Sequence, residues 1–400
     1  MTQYDVVVVG AGIVGLAVAR EVRRADPGAT VAVLEREAEV AAHQSSHNSG
    51  VIHSGVYYRP GSLKARLCVE GAAALYEFCD THDIPTRRCG KLIIARRPDE
   101  LARLDELERR GRVNTVPGLT RVTAQGIPEI EPHAVGMAAL HIASTGIVDY
   151  GRVARVLADE LRADGVDIHC GVAVGRVAPR RSVAAIEHGQ GVIEASRVIV
   201  CAGLWSDRVA RRSGAGPDPR IVPFRGAYLR LHRDGRPLVR GMVYPVPDPA
   251  LPFLGVHITP TIDGDVLLGP TALPVASRTA YQLATLDLRD ALETVTWPGS
   301  WRAARKLWRT GLDEARMAAS RRAVVRACAD YVPSLSLGDV AGAGPAGVRA
   351  QAMTRDGSLV DDFVIERDGP VAHVRNAPSP AATSAFALAA EVVRRLGRGA

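Results

Sequence analysis

Three glycines near the start of the sequence have the spacing of a phosphate-binding turn. The turn reads Gly10-Ala11-Gly12-Ile13-Val14-Gly15, after an apolar run that ends at Val9 and before a helical pattern. Gly10 permits the tight turn, Gly12 lets a pyrophosphate approach the backbone, and Gly15 lets the helix pack closely on the strand. The open N–H groups and the positive end of the helix then face the phosphates. The spacing therefore predicts a dinucleotide site.

Glu35 stands at the end of the second apolar run, Val31 to Leu34. It lies about 20 residues beyond the glycines, where an acid can accept hydrogen bonds from both ribose hydroxyls. Because such an acid disfavours a 2′-phosphate, FAD or NAD is expected rather than NADP. The early position of the turn, with a long interrupted chain after it, favours FAD.

The stretch from His43 to Tyr58 concentrates polar and aromatic side chains. It carries three histidines and two adjacent tyrosines among serines and glycines, with no helical or strand period. A solvated loop with turn residues explains this composition. The alternative is a loop laid along the cofactor, with its hydroxyls and amide N–H groups reaching phosphate and flavin, and three histidines with two adjacent tyrosines are many reactive groups for a surface loop. The second interpretation predicts cofactor contacts at Ser45, Ser46, His47, Asn48, Ser49 and Gly50.

Around this loop the sequence closely resembles the L-2-hydroxyglutarate oxidase/dehydrogenase family, within the FAD-dependent D-amino-acid-oxidase-like superfamily. The most specific string is HNSGVIHSGVYYRPGSLKARLCVEG, which begins at His47. The resemblance covers nearly the whole chain in order through GKLIIA (90–95), GIVDY (146–150), PFRGAY (223–228), YPVPDPALPFLGVH (244–257), GPAGVRAQA (344–352), LVDDF (359–363) and NAPSPAATSA (376–385). It implies FAD as the cofactor.

The resemblance also implies oxidation of a 2-hydroxy acid, which needs three groups. A cation must hold the carboxylate, a base must take the hydroxyl proton, and the Cα–H must face flavin N5. Because the flavin takes the hydride, no metal site is expected. A five-carbon diacid needs a second cationic or polar anchor as well.

Several residues of the resembling strings are candidates for these roles. Arg225 and Arg349 can clamp carboxylates bidentately. His53 and His257 are both candidates for the base, and the sequence does not rank them. Tyr57, like its neighbour, can donate a hydrogen bond to the substrate, although packing is the commoner role. Lys64 is a candidate contact for a phosphate or a diacid.

Further cofactor contacts are expected where later segments return to the dinucleotide site. An apolar strand ends at Ala202-Gly203; such a strand ends beside the cofactor in two-domain flavoproteins, and an ordinary buried strand is the alternative. Residues 376–383 are predicted to start a helix whose N-terminus suits the N1–C2 edge of a reduced flavin. Outside the polar loop, the expected cofactor contacts are Gly10, Gly12, Ile13, Val14, Gly15, Glu35, Arg36, Val174, Ala202, Gly203, Gly347, Pro380 and Ala381. We expect non-covalent FAD, because no cysteine or histidine is identifiable as an anchor.

One position departs from the family. The PFRG-x-Y string usually carries an acid between its glycine and tyrosine, and here that position is Ala227. An acid there can orient the neighbouring arginine or tune a base. Its loss raises the alternative of a different 2-hydroxy acid as substrate, and leaves the expectation of FAD intact.

The apolar runs predict an α/β protein with a Rossmann-like FAD-binding domain and a second substrate domain built on an antiparallel sheet. The expected FAD-binding domain is discontinuous and comprises residues 1–85, 146–220 and 340–400. The expected substrate domain comprises residues 86–145 and 221–339. Within these, helices are expected over 62–82, 98–112 and 151–163, and strands over 91–95, 254–259 and 266–268.

Composition limits the remaining classes of function. The formal charge of +7 comes almost wholly from arginine, with lysine only at 64, 91 and 306, and no basic run alternates with aromatic residues. Nucleic-acid binding is therefore not expected. The six cysteines form no CxxC pair, which is typical of reduced thiols in the cytoplasm. No signal peptide and no membrane-spanning segment are expected, while peripheral membrane contact stays open.

The sequence therefore predicts an enzyme that binds a small anionic substrate and passes electrons to oxygen or a quinone. The most direct hypothesis is an FAD-dependent oxidase or dehydrogenase that converts L-2-hydroxyglutarate to 2-oxoglutarate. Two alternatives remain on the same fold: an oxidase of another 2-hydroxy acid, and an amine or amino-acid oxidase of the glycine or sarcosine type. A flavin-binding module without enzymatic activity is disfavoured by the candidate histidines and arginines. The oligomeric state is not predicted.

Overall fold

The computed structural model describes residues 3–249 and 253–397. The other positions, which the expected domain boundaries and one resembling string include, lie outside the described residues. The helices are α1 (Ile13–Ala25), α2 (Leu63–Thr81), α3 (Pro98–Val113), α4 (Ile127–Ile130), α5 (Tyr150–Ala163), α6 (Ser206–Arg212), α7 (Leu288–Val295), α8 (Pro298–Ala319), α9 (Arg321–Ala329) and α10 (Ala385–Gly397).

The strands form two large sheets and one small sheet. They are β1 (Gln3–Val9), β2 (Val31–Leu34), β3 (Val51–Ile52), β4 (Thr86–Arg87), β5 (Lys91–Ala95), β6 (Leu119–Thr123), β7 (Ala138–Ile142), β8 (Gly146–Val148), β9 (Asp167–His169), β10 (Val174–Pro179), β11 (Ala184–His188), β12 (Gly191–Val200), β13 (Arg220–Leu231), β14 (Met242–Pro245), β15 (His257–Pro260), β16 (Val266–Gly269), β17 (Leu273–Pro274), β18 (Val340–Met353), β19 (Val364–Asp368) and β20 (Val371–Asn376).

The first sheet has the order β10-β11-β12-β1-β2-β9, with β20 beside β12 and β19 beside β20. β1 pairs in parallel with both β2 and β12. Residues 6–9 are buried on both faces, and side chains of α1, α5 and α10 pack against one of them. A central parallel strand covered on both faces needs a continuous apolar sequence, which explains the run before the glycine turn.

The second sheet has the order β17-β13-β16-β15-β14-β5-β7-β6, with β18 on the other edge of β13. Its described pairs are antiparallel except for β5 and β14, which run parallel. This sheet brings β5, β14 and β15 side by side, although Lys91 and Tyr244 lie 153 positions apart in the sequence and His257 follows 13 positions later. These three adjacent strands carry Lys91, Tyr244 and His257 of the candidate active site.

The small sheet joins β3, β8 and β4. β3 pairs with β8 through Val51 and Ile52, and its next residue is His53. Tyr150, at the start of α5, donates its hydroxyl to the carbonyl oxygen of Val51 at 3.0 Å. The small sheet therefore fixes where the polar loop turns towards the second sheet.

Two expected elements begin later than the sequence indicated. The strand expected from 254 begins at His257. The helix expected to start within 376–383 begins at Ala385, after a turn that contains Pro378 and Pro380. The residue before a proline disfavours the α conformation, and two such prolines in close succession delay the helix.

We propose the two-domain division predicted from the sequence with one changed boundary. β18 pairs along most of its length with β13 in the second sheet. Residues 340–353 are therefore better grouped with the substrate domain than with the FAD-binding domain in which the sequence prediction placed them. The boundary moves because β18 pairs with β13 from Val340 to Met353.

Candidate active site

The glycine turn is fixed by two side chains from outside it. Glu35 is buried, and its Oε2 accepts a hydrogen bond from the amide of Ala11 at 2.7 Å. Ser45 Oγ accepts one from the amide of Ile13 at 2.9 Å. A Cβ on Gly15 would overlap the carbonyl oxygen of Gly10, so the helix can approach the turn only at a glycine. The turn is thus held in the shape that a pyrophosphate needs.

A cavity of ≈550 Å³ opens from this turn. Its wall combines the ends of β1, β2, β12 and the start of β10, which is where an open α/β sheet binds a ligand. Arg36 lies on this wall with its guanidinium 4.0 Å from the ring centroid of Trp205. The predicted cofactor residues that line the cavity are Gly10, Gly12, Ile13, Val14, Gly15, Glu35, Arg36, Ser45, Val174, Ala202, Gly203 and Ala381.

The remainder of the polar loop runs from this cavity to the second sheet. The ring of His47 stacks on Tyr281 with centroids 3.9 Å apart. A Cβ on Gly347 would overlap the carbonyl oxygen of His47, so strand β18 touches the loop backbone here. Burial raises the pKa of Tyr228 on β13, and the neighbouring Ser49 opposes this shift. The loop therefore connects the two regions.

The other predicted contacts in these segments have structural partners. Asn48 donates its side-chain amide to the carbonyl oxygens of Gln44 and Ser45, at 3.0 and 2.9 Å, and accepts from the amide of Gly50 at 2.8 Å. A Cβ on Gly151 would lie 2.6 Å from Ser46 Oγ, at the start of α5. Pro380 accepts a hydrogen bond from the amide of Ser384 at 3.0 Å, just before α10. Their role towards the cofactor stays a prediction.

At the far end of the loop, the second sheet presents a cluster of aromatic and basic side chains. The rings of Tyr244 and His257 stack with centroids 3.9 Å apart. Lys91 Nζ lies 4.1 Å from the ring centroid of Tyr244 and 5.4 Å from that of Tyr57. We call the group formed by His53, Tyr57, Lys91, Tyr228, Tyr244, His257 and Arg349 the sheet cluster.

The sheet cluster holds both candidate bases in the neutral state. Burial, with the nearby Lys91 and Arg349 cations, lowers the pKa of His257 to about 3, although its bond to Gly255 opposes this shift. Burial and the charges of neighbouring residues lower the pKa of His53 well below its ordinary value. Both imidazoles are therefore uncharged at neutral pH, and each has one ring nitrogen with a lone pair.

The hydrogen bonding of the two imidazoles differs. His257 Nδ1 lies 2.8 Å from the carbonyl oxygen of Gly255, which can only accept, so Nδ1 carries the proton. Nε2 is then left with a free lone pair. His53 Nδ1 is buried and has no hydrogen-bond partner within the described chain.

Arg349 is one of two basic residues of the sheet cluster, together with Lys91. Its guanidinium lies 5.0 Å from the ring centroid of Phe253, and burial lowers its pKa, while Tyr228 and Glu314 oppose this shift. Glu314 accepts a hydrogen bond from the amide of Ala272 at 2.8 Å. No ion pair to Arg349 occurs within residues 3–249 and 253–397, so its charge is available to an anion.

Two candidates from the sequence lie apart from this arrangement. Arg225 donates through Nε and Nη2 to the carbonyl oxygen of Tyr281, at 3.3 and 3.2 Å, and does not join Arg349. Lys64 Nζ is 2.7 Å from Asp361 Oδ1 and 4.8 Å from the ring centroid of Tyr58, so its charge is already paired. Tyr57 does join the sheet cluster, and its buried hydroxyl has no hydrogen-bond partner in the described residues.

Comparison with known proteins identifies the chain. Residues 5–395 match the family described as FAD dependent oxidoreductase. The chain belongs to the FAD-dependent oxidoreductase family. It is thus an enzyme whose cofactor is FAD, as the glycine turn and the sequence strings predicted.

Relatives of this FAD-dependent oxidoreductase confirm the resemblance. The mitochondrial L-2-hydroxyglutarate dehydrogenase of Nematostella vectensis is 47% identical over 405 residues, covering 96% of this chain and 89% of its own. That of Homo sapiens is 42% identical, covering 97% and 87%. The L-2-hydroxyglutarate dehydrogenase of Indibacter alkaliphilus is 40% identical, covering 97% and 98%.

A solved structure confirms the predicted fold of the FAD-dependent oxidoreductase. The L-alpha-glycerophosphate oxidase of Mycoplasma pneumoniae, with FAD bound, superposes with a TM-score of 0.78 at 24% identity, covering 99% of this chain and 95% of its own. At this identity the likeness concerns the fold alone. A Rossmann-like unit with a second sheet is thus the architecture of both proteins.

The residues of the FAD-dependent oxidoreductase fit its cofactor. Gly10, Gly12 and Gly15 keep side chains away from the turn, so a pyrophosphate can approach its backbone, and the cavity continues from there along Glu35 and Arg36. A Cβ on Gly12 would lie 3.2 Å from Ser45 Oγ and would narrow the space over the turn. These observations support dinucleotide binding independently of the comparisons.

Sequence reasoning missed three members of the sheet cluster: Lys91, Tyr228 and Tyr244. Lys91 opens a strand whose five residues are all buried. A lysine in a fully buried apolar strand is rare unless it has a partner or a function. That contrast, within the string GKLIIA, was the signal available in the sequence.

Proposed function

We propose that this enzyme oxidises L-2-hydroxyglutarate to 2-oxoglutarate. The relatives at 40–47% identity carry the name L-2-hydroxyglutarate dehydrogenase. The observation that carries the proposal is the sheet cluster, in which an arginine without an ion-pair partner in the described residues accompanies a neutral imidazole with a free Nε2. A 2-hydroxy acid needs this pair of groups, one for its carboxylate and one for its hydroxyl proton.

In this mechanism each residue has a defined task. Arg349 binds the carboxylate next to the reacting carbon and fixes the orientation of the substrate. His257 Nε2 accepts the hydroxyl proton as the carbonyl bond forms, and its Nδ1–H bond to Gly255 keeps the ring in place. Bound FAD supplies the acceptor for the hydrogen of the α-carbon, which leaves as a hydride with both electrons. The product is the 2-oxo acid, and the proton resides on His257.

His257 is preferred over His53 as the base because its tautomer is fixed. An imidazole whose Nδ1 proton is engaged presents Nε2 as an acceptor in one orientation. His53 follows β3 and lies in the same charged surroundings. We propose that it contacts the substrate without accepting the hydroxyl proton.

The cofactor contacts predicted from the sequence remain part of this proposal. Glu35 binds the ribose hydroxyls, the glycine turn binds the pyrophosphate, and the loop from Ser46 to Gly50 with Gly347 and Pro380 borders the flavin. Non-covalent attachment is proposed. Arg225 is not retained as a substrate anchor, and Lys64 is proposed to support the start of α2 through Asp361.

The change at Ala227 does not favour a different substrate. Ala227 pairs with Ala346 on β18, and Arg225 pairs with Val348. Alternate residues of a strand share a face, so an acid at 227 would lie on the face of Arg225 and away from Arg349. The carboxylate anchor proposed here is therefore unaffected by its loss.

The electron acceptor and the cellular location are further parts of the proposal. We propose oxygen or a quinone as the electron acceptor, no nucleic-acid partner, and a cytoplasmic location, while the names of the eukaryotic relatives include mitochondrial. Within the described chain, no helix has the length and apolar character to cross a membrane.

Peripheral membrane contact is supported by one surface. α7 and α8 expose Leu288, Leu292, Trp301 and Trp308 beside several arginines. Amphipathic surfaces of this composition bind anionic lipid. Co-sedimentation with vesicles that contain phosphatidylserine tests the contact, and protein that stays in the supernatant at low salt contradicts it.

The activity itself is tested by anaerobic reduction of the flavin. L-2-hydroxyglutarate is expected to bleach the flavin absorption rapidly, and 2-oxoglutarate should accumulate in equal amount. Glycine and sarcosine are expected to leave the spectrum unchanged. Faster bleaching by an amino acid or by another 2-hydroxy acid would overturn the assignment.

A further inference from the structure

Lys91 is the least accessible charged group of the sheet cluster. The residue is 1% exposed, and its Nζ has no hydrogen-bond partner within the described residues. Its Nζ lies over the aromatic rings of Tyr244 and Tyr57. An ammonium group in this position has lost its water without gaining an anion.

The surroundings of Lys91 do not balance its charge. Burial raises the pKa of Cys68 to about 12, so its thiol is neutral. The carboxylate of Asp361 is engaged by Lys64, and that of Glu314 by the amide of Ala272. A buried charge without a partner is costly, and a carboxylate from a ligand would remove this cost.

Other polar atoms near Lys91 are also left without partners. Tyr57 Oη and His53 Nδ1 are buried and form no hydrogen bond within residues 3–249 and 253–397. Buried polar atoms in proteins are almost always bonded, so a group of unbonded ones marks a place where a ligand binds. The ammonium group of Lys91 and the hydroxyl of Tyr57 are hydrogen-bond donors, which suit an anionic oxygen.

We propose that Lys91 binds the carboxylate of the substrate that is remote from the reacting carbon, and thereby makes the enzyme selective for diacids over mono-acids. The assignment rests on the function proposed above. Burial lowers the pKa of His257, and Lys91 and Arg349 add to this shift, so both cations lie near the proposed base. Arg349 then holds the carboxylate beside the hydroxyl, and Lys91 holds the other.

The charge of Lys91 gives this assignment a dependence on pH. Burial lowers the pKa of Lys91 to about 7, while Cys68 and Cys89 oppose the shift. A carboxylate binds the ammonium form, so affinity for the diacid is complete below pH 7 and falls as pH rises above 7. Six titratable groups surround Lys91: Cys68 on α2, Cys89 before β5, His53 and Tyr57 in the polar loop, Tyr244 on β14 and His257 on β15. Two further cations lie near these histidines, since Lys64 acts on His53 and Arg349 acts on His257.

The test compares two substrates on the FAD-loaded enzyme. L-2-hydroxypentanoate has the carbon chain of L-2-hydroxyglutarate with a methyl group in place of the remote carboxylate. Lys91→Met is expected to raise KM for the diacid by about 100-fold and to change KM for the mono-acid by less than about threefold. Lys306→Met removes the same charge from an exposed site on α8 and should leave both values unchanged.

Lys91→Arg separates binding from structural support. Arginine stays charged at every accessible pH, so this variant should keep the preference for the diacid and lose the rise of KM above pH 7. If Lys91→Met lowers kcat for both substrates and leaves their ratio unchanged, Lys91 acts at the reacting carbon and the assignment is wrong.

A binding measurement distinguishes failure of this assignment from failure of the proposed function. Glutarate and pentanoate cannot be oxidised at a hydroxyl, and their binding is followed by the shift of the flavin absorption. Glutarate should bind the wild type at least tenfold more tightly than pentanoate, and Lys91→Met should abolish the difference. Equal binding of the two acids by the wild type overturns the role of Lys91. Glutarate binding that depends on Lys91, without reduction by L-2-hydroxyglutarate, overturns the proposed function only.

Discussion

Arg225 and Arg349 lie on paired strands, yet their side chains occupy opposite faces of the second sheet. Arg349 is the direct partner of Phe224, and Arg225 is the direct partner of Val348. Directly paired residues share a face and successive residues alternate, so the two arginines are separated by the sheet itself. Val348 packs with Leu204 beside the cofactor cavity, whereas Arg349 faces the sheet cluster.

This separation predicts unequal effects of removing the two arginines. Arg349→Met should raise KM for L-2-hydroxyglutarate strongly and slow flavin reduction by about 100-fold, because the substrate loses its orientation. Arg225→Met should slow reduction by less than about tenfold. Stopped-flow reduction of both variants checks this, and a larger effect at Arg225 would reverse the assignment of the anchor.

The two histidines are expected to differ in the chemical step. His257→Ala should lower the rate of flavin reduction by about 10²–10⁴-fold with FAD still bound, because the hydroxyl proton has no acceptor. His53→Ala should cost less. Since the pKa of His257 is lowered to about 3, the group stays neutral in the free enzyme down to about pH 4, and kcat/KM should show no acidic decline between pH 5 and 7. A larger loss at His53 would exchange the two roles.

Replacement of Glu35 should weaken FAD binding. Glu35 holds the amide of Ala11 at 2.7 Å and that of Glu37 at 3.0 Å, so its loss loosens the glycine turn and removes the ribose contact together. Bonds to a charged group contribute roughly 1.5–3 kcal/mol, which corresponds to about a 10- to 100-fold rise in the FAD dissociation constant for Glu35→Ala. Glu39→Ala, an exposed acid nearby, is the control. Equal retention of FAD by both variants would show that Glu35 is not a cofactor contact.

The buried ion pairs of Arg278, which connect α6 to α7, are expected to contribute strongly to the stability of the folded protein. Arg278, 2% exposed, pairs with Asp207 of α6 at 2.5 Å and with Glu293 of α7 at 3.2 Å. Arg278→Met leaves Asp207 buried without its cation, while Glu293 keeps its pair with Arg208 at 2.7 Å, and should lower the free energy of unfolding by about 3–5 kcal/mol. Arg316→Met breaks an exposed pair with Asp313 and should cost at most about 1 kcal/mol. Urea titration measures both, and similar midpoints would contradict the role of the network.

Local sequence patterns were sufficient to predict the part of the fold that binds the cofactor. The strand, glycine turn, helix and Glu35 are adjacent in sequence, and their spacing alone fixes their relation. The faces of β13 and β18 depend on a register between residues more than a hundred positions apart, so the sequence could not show that Arg225 and Arg349 diverge. The same holds for Lys91, whose neighbours come from β14 and from the polar loop.

The scarcity of lysine has a practical consequence. Of the three lysine side chains, Lys306 is exposed on α8, while Lys64 and Lys91 are buried. An acylating reagent needs both access and an uncharged amine, and Lys91, with its pKa lowered to about 7, is largely uncharged under mildly alkaline conditions. Its labelling rate is therefore limited by access. The time course of acylation at this one residue measures how often the buried region around Lys91 opens to solvent.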